Sequence, residues 1–346
     1  MMHNIPISKT LYAYQFPYWK HPVVKQCFAA SQVVFIDSIE ELAANAILVL
    51  WGMRPVPAGV AASVQIWRME DGFLRSVGLG ADLVRPMSWI VDRRGIYYDA
   101  TQPSDLEWLL AQTEFDDNLL GRAFELRSRV VASGLTKYNV GAKSWQRPSG
   151  NQRMILVPGQ VESDASLAFG APGVRSNIGL LKAVREANPA AYVIYKPHPD
   201  VYARLRAEGQ GEQDAHLWCD EVVTEAAMGA MLTLVDEVHV MTSLAGFEAL
   251  LRGKLVTCYG QPFYAGWGLT RDIVKIARRT RSLTLDELVA GVLIRYPLYL
   301  SRNGKQLLTP EQALDELSAW LTQSGGRTTL WRKLIRIFLR RIIGVR

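Results

Sequence analysis

Cysteine is scarce in this sequence, and its three copies lie far apart. Cys27, Cys219 and Cys258 form no C-x-x-C pair, which excludes a disulfide framework and a zinc site of the usual spacing. Residues 1–10 lack the apolar core of a signal peptide, and the longest apolar run, 43–53, falls far short of the ~20 residues that a membrane span needs. We therefore expect a protein of the reducing cytoplasm.

Acidic residues are absent from positions 327–346, which carry seven basic ones. The whole chain has 39 Lys and Arg against 33 Asp and Glu; subtracting the seven leaves 32 basic side chains against 33 acidic ones. A protein that tracks a phosphate backbone spreads its basic residues over the fold. The near-neutral body therefore argues against a nucleic-acid partner.

Short β-branched and apolar runs alternate with segments of helical periodicity, which predicts an α/β fold with helix-covered parallel sheets. The predicted strands are 32–36, 47–51, 154–157, 192–195, 237–241 and 255–259. The predicted helices are 38–45, 105–112, 116–133, 177–187, 202–208 and 244–252. Two capping-box patterns, Thr284 with Glu287 and Thr309 with Gln312, predict two later helix starts.

A segment rich in Gly, Pro, Ser and Asn interrupts the periodic pattern at 141–152. It predicts a boundary between two Rossmann-like domains, 1–150 and 151–326, that face each other across a cleft. The basic residues 327–346 follow as a separate tail.

In the second half, four predicted strands run into polar segments rich in Gly and Pro. These segments are 158–164, 196–200, 242–246 and 260–264. Ligands of open parallel sheets bind outside the carboxyl ends of the strands. Gly and Pro are ordinary in such loops, but four segments of this kind together favour a binding site.

Two of these segments carry groups suited to an anion. His198 lies between two prolines and next to Lys196, and it suits a phosphate as a cation or as a hydrogen-bond donor. It is equally suited to be a loop histidine bonded to the backbone. Thr242 and Ser243 precede a helix start, where hydroxyl and N–H groups bind anions and also act as ordinary caps.

Several carboxylates are candidates for chemistry. Glu248 suits the two hydroxyls of a ribose, although a solvated helix charge is the commoner role. Asp164 suits a nucleophile or general base, or else a helix N-cap, and its pairing with Glu162 is too weak to predict a metal. In the first half, Glu70 and Asp71 precede a glycine as either a site or a solvent turn.

Five motifs, taken in order, resemble those of the bacterial capsule-polysaccharide β-Kdo transferases. They are Glu70-Asp-Gly-Phe-Leu-Arg-Ser76, Gln160-Val-Glu-Ser-Asp164, Lys196-Pro-His-Pro199, Thr242-Ser-Leu-Ala-Gly-Phe-Glu248 and Gly260-Gln-Pro-Phe-Tyr-Ala-Gly-Trp-Gly268. The resemblance runs from about residue 46 to 300. The Pro-Gly-Gln-Val-Glu-x-Asp form is most similar to the second catalytic module of two-module members, and this chain has the length of one module.

The resemblance implies a GT-B architecture, with domain 1–150 on the acceptor side and domain 151–326 binding CMP-β-Kdo. It implies retention of the β configuration and transfer to a lipid-linked Kdo acceptor. The donor-binding residues that it implies are Gln160, Lys196, His198, Thr242, Ser243, Glu248 and Gln261. His198 is expected on the CMP phosphate, Glu248 on the ribose and Gln261 beside the sugar.

The resemblance also implies catalytic roles. Asp164 falls at the position of the family's catalytic aspartate, and we expect it to act as the nucleophile of a double displacement by analogy with retaining glycosidases. Glu70 or Asp71 is the candidate base or acceptor ligand. We expect no metal or other cofactor.

The segment 328–344 predicts a basic amphipathic helix with Trp and Phe on its apolar face. Such a helix suits an anionic membrane surface, although a helix packed on the body or on a partner has the same pattern. We expect peripheral binding at the inner face of the cytoplasmic membrane, because the acceptor is lipid-linked.

Two other functions fit the same residues. One is a GT-B transferase that uses another nucleotide sugar. The other is a non-catalytic, membrane-associated scaffold for capsule assembly that keeps the fold.

Overall fold

The computed structural model describes residues 10–77, 85–137, 144–150 and 152–324. The chain forms two compact units, each with its own sheet. Unit 1 takes its described residues from Met1–Arg75, Arg85–Leu126 and Asp286–Glu316, and unit 2 from Ser76–Val84, Arg127–Leu285 and Leu317–Arg346. The predicted boundary at residue 150 divides the chain once, whereas residues 286–316 belong with the first unit.

The elements alternate along most of the chain. The described strands are β1 (Leu11–Tyr14), β2 (Val33–Ile36), β3 (Ile47–Trp51), β4 (Gln65–Asp71), β5 (Ser88–Asp92), β6 (Met154–Pro158), β7 (Tyr192–Lys196), β8 (Glu221–Val222), β9 (Glu237–Val240), β10 (Leu255–Cys258), β11 (Arg271–Asp272), β12 (Leu298–Leu300) and β13 (Leu307–Leu308). The described α-helices are α1 (His21–Cys27), α2 (Asp105–Gln112), α3 (Asp117–Ala132), α4 (Ala165–Gly170), α5 (Asn177–Ala187), α6 (Pro199–Tyr202), α7 (Met228–Leu234), α8 (Leu244–Leu251), α9 (Leu285–Val289) and α10 (Pro310–Ser324). Short 3₁₀ turns cover Tyr18–Lys20, Ile39–Glu41 and Glu212–Leu217, and a π-helical turn covers Ala290–Arg295.

Unit 1 is built on a seven-stranded sheet of order β13-β12-β5-β4-β3-β1-β2. Strands β2, β1, β3 and β4 pair in parallel, and β5, β12 and β13 extend the sheet through antiparallel pairs. Strand β3 is buried on both faces: Ile47 and Val49 pack in one hydrophobic cluster, Leu48 and Leu50 in another. Burial on both faces is why β3 is a continuous apolar run.

Unit 2 is built on a six-stranded sheet of order β11-β10-β9-β6-β7-β8, in which every pair is parallel. Ile155 and Val157 of β6 pack against Leu167 of α4 and Leu180 of α5 in one buried cluster. Because all the strands run the same way, their carboxyl ends lie along one edge of the sheet. That edge is where the polar loops of unit 2 begin.

The predicted α/β pattern with parallel sheets is confirmed. The six predicted strands are observed as β2, β3, β6, β7, β9 and β10, each within one residue at its ends. Four of the predicted helices are α2, α3, α5 and α8. The capping box before α10 is also present, since the Thr309 N–H donates to Gln312 Oε1 and the Gln312 N–H donates to Thr309 Oγ1.

Two predicted helices are wrong. At 38–45 only the 3₁₀ turn Ile39–Glu41 forms, because the backbone is extended at Leu42 and left-handed at Asn45. At 202–208 the helix lies earlier, as α6, because Pro199 begins it with a φ already suited to the first turn. Arg204 then takes a φ of +56°, which ends the helix.

No helix within the described ranges has both the length and the apolar character needed to cross a bilayer. The predicted amphipathic helix at 328–344 lies outside the described residues.

Candidate functional site

The sheet order of unit 2 puts the four polar segments side by side. Strands β10, β9, β6 and β7 are consecutive neighbours in the sheet, and the segments 260–264, 242–246, 158–164 and 196–200 follow them. The candidate donor-binding residues therefore belong to one edge of one sheet.

A buried glutamine links two of these loops. Gln160 is only 6% exposed, and its amide oxygen accepts the Thr242 N–H at 2.9 Å while its Nε2 donates to Thr242 Oγ1 at 3.0 Å. The backbone of Gln160 exchanges two further hydrogen bonds with the Asn177 amide, each of 2.9 Å. The side chain of Gln160 thus positions Thr242.

Further polar groups, which the sequence analysis did not identify as site residues, form hydrogen bonds that hold the loop after β6. The Asn177 N–H donates to Glu162 Oε1 at 2.8 Å, and Asn177 Nδ2 donates to Glu212 Oε2 at 3.3 Å. Glu212 also accepts a short hydrogen bond from the Tyr195 hydroxyl. Glu162 is therefore a structural support of the loop.

Lys196 is the last residue of β7, and His198 lies just after the strand. The two side chains differ in charge. Lys196 is buried, which lowers the pKa of its ammonium to about 8, and Nζ donates to the Thr224 carbonyl at 3.4 Å. Burial, together with the nearby charges of Lys137 and Arg206, lowers the pKa of His198 to about 3. His198 is therefore a neutral imidazole near pH 7, and Lys196 supplies the positive charge.

The tautomer of His198 follows from its local hydrogen bond. Its Nδ1 accepts the Asp200 N–H at 3.2 Å and caps α6. In a neutral imidazole the other nitrogen then carries the proton, so Nε2–H is the donor. The structure thus shows the backbone hydrogen bond expected of a loop histidine, and the binding of a phosphate by His198 stays a prediction. The cations Lys137 and Arg206 beside it were missed because nothing in the sequence links them to this loop.

The loop after β9 leads into α8. Ser243 caps this helix through a 3.2 Å hydrogen bond from the Ala245 N–H, and its carbonyl accepts a hydrogen bond from the Tyr264 hydroxyl. A Cβ at Gly260 would lie 2.8 Å from the carbonyl oxygens of Gly170 and Met241. Glycine at 260 is therefore needed for the close approach of these loops.

Glu248 lies on α8 and is buried. Its Oε1 accepts the Lys137 N–H at 2.6 Å, whereas Oε2 accepts no hydrogen bond from any residue in the described part of the chain. Burial raises the pKa of Glu248 to about 7, and the Lys137 N–H and the positive charges of Arg252 and Lys137 only partly offset it. The carboxyl group therefore titrates near neutral pH.

Gln261 and Asp164 complete the set in unit 2. The Gln261 N–H donates to the Gly170 carbonyl at 2.7 Å, and its Nε2 donates to the Lys275 carbonyl at 3.0 Å. Asp164 occupies the N-cap position of α4, is exposed, and makes no side-chain capping hydrogen bond. Its carboxylate is therefore not committed to the helix.

Unit 1 carries the second candidate pair at the end of β4. Asp71 forms a 2.6 Å ion pair with Arg75. Glu70 accepts the Asp71 N–H at 2.9 Å through Oε1 and the Tyr98 hydroxyl at 3.3 Å through Oε2. Gly52, with a φ of +54°, lies against this carboxylate and hydroxyl, where a Cβ would be 3.0 Å from each. The two carboxylates therefore lie in a strand with defined partners and do not form a solvent-exposed turn.

The described residues contain no group of three or more His, Cys, Asp or Glu side chains arranged to hold a metal ion. The three cysteines are free thiols.

Comparison with known proteins identifies the family. The family of capsule polysaccharide biosynthesis proteins matches residues 47–123 and 122–299. The chain belongs to this family. Among curated members, the capsule polysaccharide modification protein LipA of Neisseria meningitidis serogroup B is 44% identical over 320 residues, which are 90% of this chain and 46% of LipA. The lipopolysaccharide-processing protein LpsZ of Rhizobium meliloti is 41% identical over 81% of this chain and 68% of its own length.

This family member thus spans about half the length of the LipA relatives that it matches. Two solved structures cover most of it. The KpsC β-Kdo 2,7 transferase of Thermosulfurimonas dismutans is 40% identical, with a TM-score of 0.75 over 90% of this chain and 99% of its own. The KpsC β-Kdo 2,4 transferase of the same organism is 31% identical, with a TM-score of 0.78 over 88% of this chain and 97% of its own.

The raised pKa of Glu248 predicts a stability that depends on pH. The folded state holds a proton on Glu248 that the unfolded state releases near the ordinary value of 4.5, so the free energy of unfolding falls as the pH rises toward and through 7. Glu248→Gln cannot ionise, so its free energy of unfolding does not fall in this way, and the amide oxygen can still accept the Lys137 N–H. We expect the variant to be more stable than wild type at pH 8 by on the order of 2 kcal/mol, in urea unfolding.

The gain of Glu248→Gln should shrink toward pH 5. Glu186→Gln, at an exposed position of α5, is the matched control and should change stability little at either pH. A Glu248→Gln variant no more stable than wild type at pH 8 would contradict the effect of burial.

Proposed function

We propose that this chain is a retaining glycosyltransferase that moves β-Kdo from CMP-β-Kdo to a lipid-linked Kdo acceptor in capsule polysaccharide biosynthesis. The observation that carries the proposal is the row of polar loops after four neighbouring strands of unit 2, because these loops present donors and acceptors suited to a charged nucleotide sugar. The two β-Kdo transferase structures, 40% and 31% identical to the chain, support Kdo as the sugar. As in a GT-B transferase, unit 2 holds the donor and unit 1 holds the acceptor.

The phosphate of CMP-β-Kdo is bound by one positive charge and by uncharged hydrogen-bond donors. Lys196 supplies the ammonium, and His198 donates through Nε2–H. The N-terminal turn of α8, with Thr242 and Ser243, adds hydroxyl groups and the positive end of a helix dipole. These groups stabilise the negative charge that develops on CMP as it leaves, so the proposed reaction needs no metal.

Glu248 binds the ribose through Oε2. A carboxylate oxygen accepts hydrogen bonds from vicinal hydroxyls, and the raised pKa of Glu248 makes this interaction strongest at and above pH 7, where the group is ionised. Gln261 lies at the sugar end of the edge, where its amide contacts the Kdo moiety.

Asp164 is the nucleophile. Its carboxylate attacks the Kdo anomeric carbon on the face opposite CMP, and the bond to CMP breaks with the electron pair leaving on the phosphate. The acceptor hydroxyl then attacks the same carbon, its proton passes to a base, and the ester bond to Asp164 breaks to restore the carboxylate. Two inversions give net retention.

Glu70 is the better candidate for the base. Asp71 is committed to Arg75 by their 2.6 Å ion pair, and proton uptake would break that pair. The hydrogen bonds that Glu70 accepts from the Asp71 N–H and the Tyr98 hydroxyl persist when its carboxyl group takes up a proton, because a protonated carboxyl group keeps acceptor capacity. We assign proton removal from the acceptor to Glu70 and a positioning role to Asp71.

Incubation with CMP-β-Kdo and a Kdo-bearing glycolipid, followed by mass spectrometry, tests the proposal. We expect one added Kdo residue, with the 2,7 linkage as the first product to examine because identity to the 2,7 transferase is higher. EDTA should leave transfer unchanged. Turnover of a UDP-sugar in place of CMP-β-Kdo would favour another transferase, and failure to bind CMP would favour a non-catalytic scaffold.

Asp164→Asn should lower transfer by at least about 1,000-fold, because the amide cannot form the ester intermediate. Asp214→Asn, at an exposed position of the same unit, is the matched control and should retain wild-type turnover. With wild type, rapid quenching should trap a Kdo adduct on the peptide that contains Asp164. Wild-type turnover by Asp164→Asn would reject the nucleophile.

Lys196 predicts how donor binding depends on pH. Since its pKa is lowered to about 8 by burial, its positive charge is present below pH 8 and lost above it. The KM for CMP-β-Kdo should therefore rise as the pH passes from 7 to 9. Lys196→Arg keeps its charge over this range and should give a KM with little change between pH 7 and 9. A wild-type KM independent of pH would exclude Lys196 as the phosphate ligand.

The basic tail binds an anionic membrane surface in this proposal. A chain ending at Ser324 should lose flotation with vesicles that contain anionic lipid, while the full chain floats with them and releases at high salt. Neutral vesicles are the control. Equal flotation of the truncated and full chains would place the membrane contact elsewhere.

A further inference from the structure

A buried ammonium lies near the carboxyl end of β3, against Trp51. Lys20 ends the 3₁₀ turn Tyr18–Lys20 and is only 7% exposed. Its Nζ lies over the Trp51 ring, 2.6 Å from the centroid, and 5.1 Å from the centroid of Trp19. Among the described residues, none accepts a hydrogen bond from this Nζ. Lys20 is not fully enclosed, since 7% of its surface stays exposed, and this exposed part is its opening to solvent.

Charged groups of both signs act on the Lys20 ammonium. Asp71 and Glu70 attract the ammonium, whereas Arg75 and Arg54 repel it. Arg75 is paired with Asp71, and Arg54 is fixed by hydrogen bonds from its guanidinium to the Tyr14 and Gln15 carbonyls.

Burial makes this arrangement unfavourable without a further anion. Desolvation lowers the pKa of Lys20 to about 7 despite the two neighbouring carboxylates. An anionic ligand at the opening would provide the hydrogen-bond acceptor that Nζ lacks and would offset the cost of its buried charge.

Two exposed aromatic residues precede Lys20 in the same 3₁₀ turn. Tyr18 is 86% exposed and Trp19 is 39% exposed, which is unusual for two adjacent large aromatics in a folded unit. Their faces suit the apolar face of a sugar ring, while Lys20 suits a carboxylate. The combination fits a sugar that carries an acid group.

We propose that Lys20, with Trp19 and Tyr18, forms a subsite on unit 1 that binds the carboxylate of an acidic acceptor sugar. The inference rests on the proposed transfer to a Kdo acceptor, since Kdo carries a carboxylate at its anomeric carbon. It makes Lys20 the residue that distinguishes an acidic acceptor sugar from a neutral one. The bound sugar lies close to Glu70, the proposed base.

The test measures equilibrium binding of a soluble Kdo glycoside, without lipid or phosphate, to the full chain by calorimetry. The second ligand is the same glycoside with its carboxylate converted to a carboxamide. For wild type we expect the carboxamide to bind about 10- to 100-fold more weakly, as for the loss of a charge-assisted hydrogen bond. This comparison needs no mutation and is independent of folding.

Lys20→Met keeps the length of the side chain and removes its charge. We expect it to weaken binding of the carboxylate ligand about 10- to 100-fold and to change carboxamide binding little, while Lys20→Arg retains part of the affinity. Lys25→Met, at an exposed position of α1, is the matched control and should bind both ligands as wild type does. Thermal unfolding of each variant checks that it is folded.

Equal binding of the two ligands by wild type would overturn the subsite, as would an equal loss of both in Lys20→Met. An effect that appears only with a phosphate-bearing glycolipid would assign Lys20 to the phosphate and would also overturn it. Lys20-dependent binding without any transfer would count against the proposed function alone. Transfer by wild type with unaltered binding in Lys20→Met would count against the subsite alone.

Discussion

The side-chain amide of Gln160 joins the ends of β6 and β9, and the loops that carry Asp164 and Ser243 begin at this link. Both of its polar atoms are satisfied by Thr242, and its backbone is held by Asn177. Leaving such a buried group unpaired costs about 1–3 kcal/mol, so the two loops keep one relative position. Ser243 directly follows Thr242, and Asp164 lies four residues after Gln160. The candidate anion-binding loop and the candidate nucleophile therefore share one anchor.

Loss of solvation on burial explains the shifted pKa values of three groups at the two sheets. Lys196, Glu248 and Lys20 are all buried, and burial favours the neutral form of each. It lowers the pKa of Lys196 to about 8 and that of Lys20 to about 7, and it raises the pKa of Glu248 to about 7. A core residue with no ligand gains nothing from this arrangement, because an apolar side chain of similar size would be more stable there. Perturbed groups of this kind cluster at functional sites, where a ligand restores the missing interactions.

The sequence predicted five strands with mostly buried interiors, β3, β6, β7, β9 and β10, together with the partly buried β2. It missed β5, although Trp89 and Ile90 of this strand are fully buried. Strands β6, β7, β9 and β10 have apolar interiors bounded by Gly, Pro or polar residues, so composition alone defines them. Strand β4 mixes buried Trp67 and Met69 with Arg68 and Glu70, and this mixture hides it. Lys20 was missed for a different reason, since its burial beneath Trp51 arises only when the end of β3 meets the turn after β1.

Asp164 occupies an N-cap position but does not cap its helix, unlike other N-cap residues of this protein. The N-cap residues Ser104, Ser176 and Ser243 all accept a backbone N–H through their side chains, and so each is explained by the helix that it begins. Asp164 is among the best N-cap types, yet its carboxylate makes no such bond at α4 and is exposed. A capped carboxylate would be a poorer nucleophile, because accepting N–H donors stabilises its charge. An aspartate left uncapped at its favoured position gives up helix stability, and the proposed role of Asp164 as nucleophile would account for that loss.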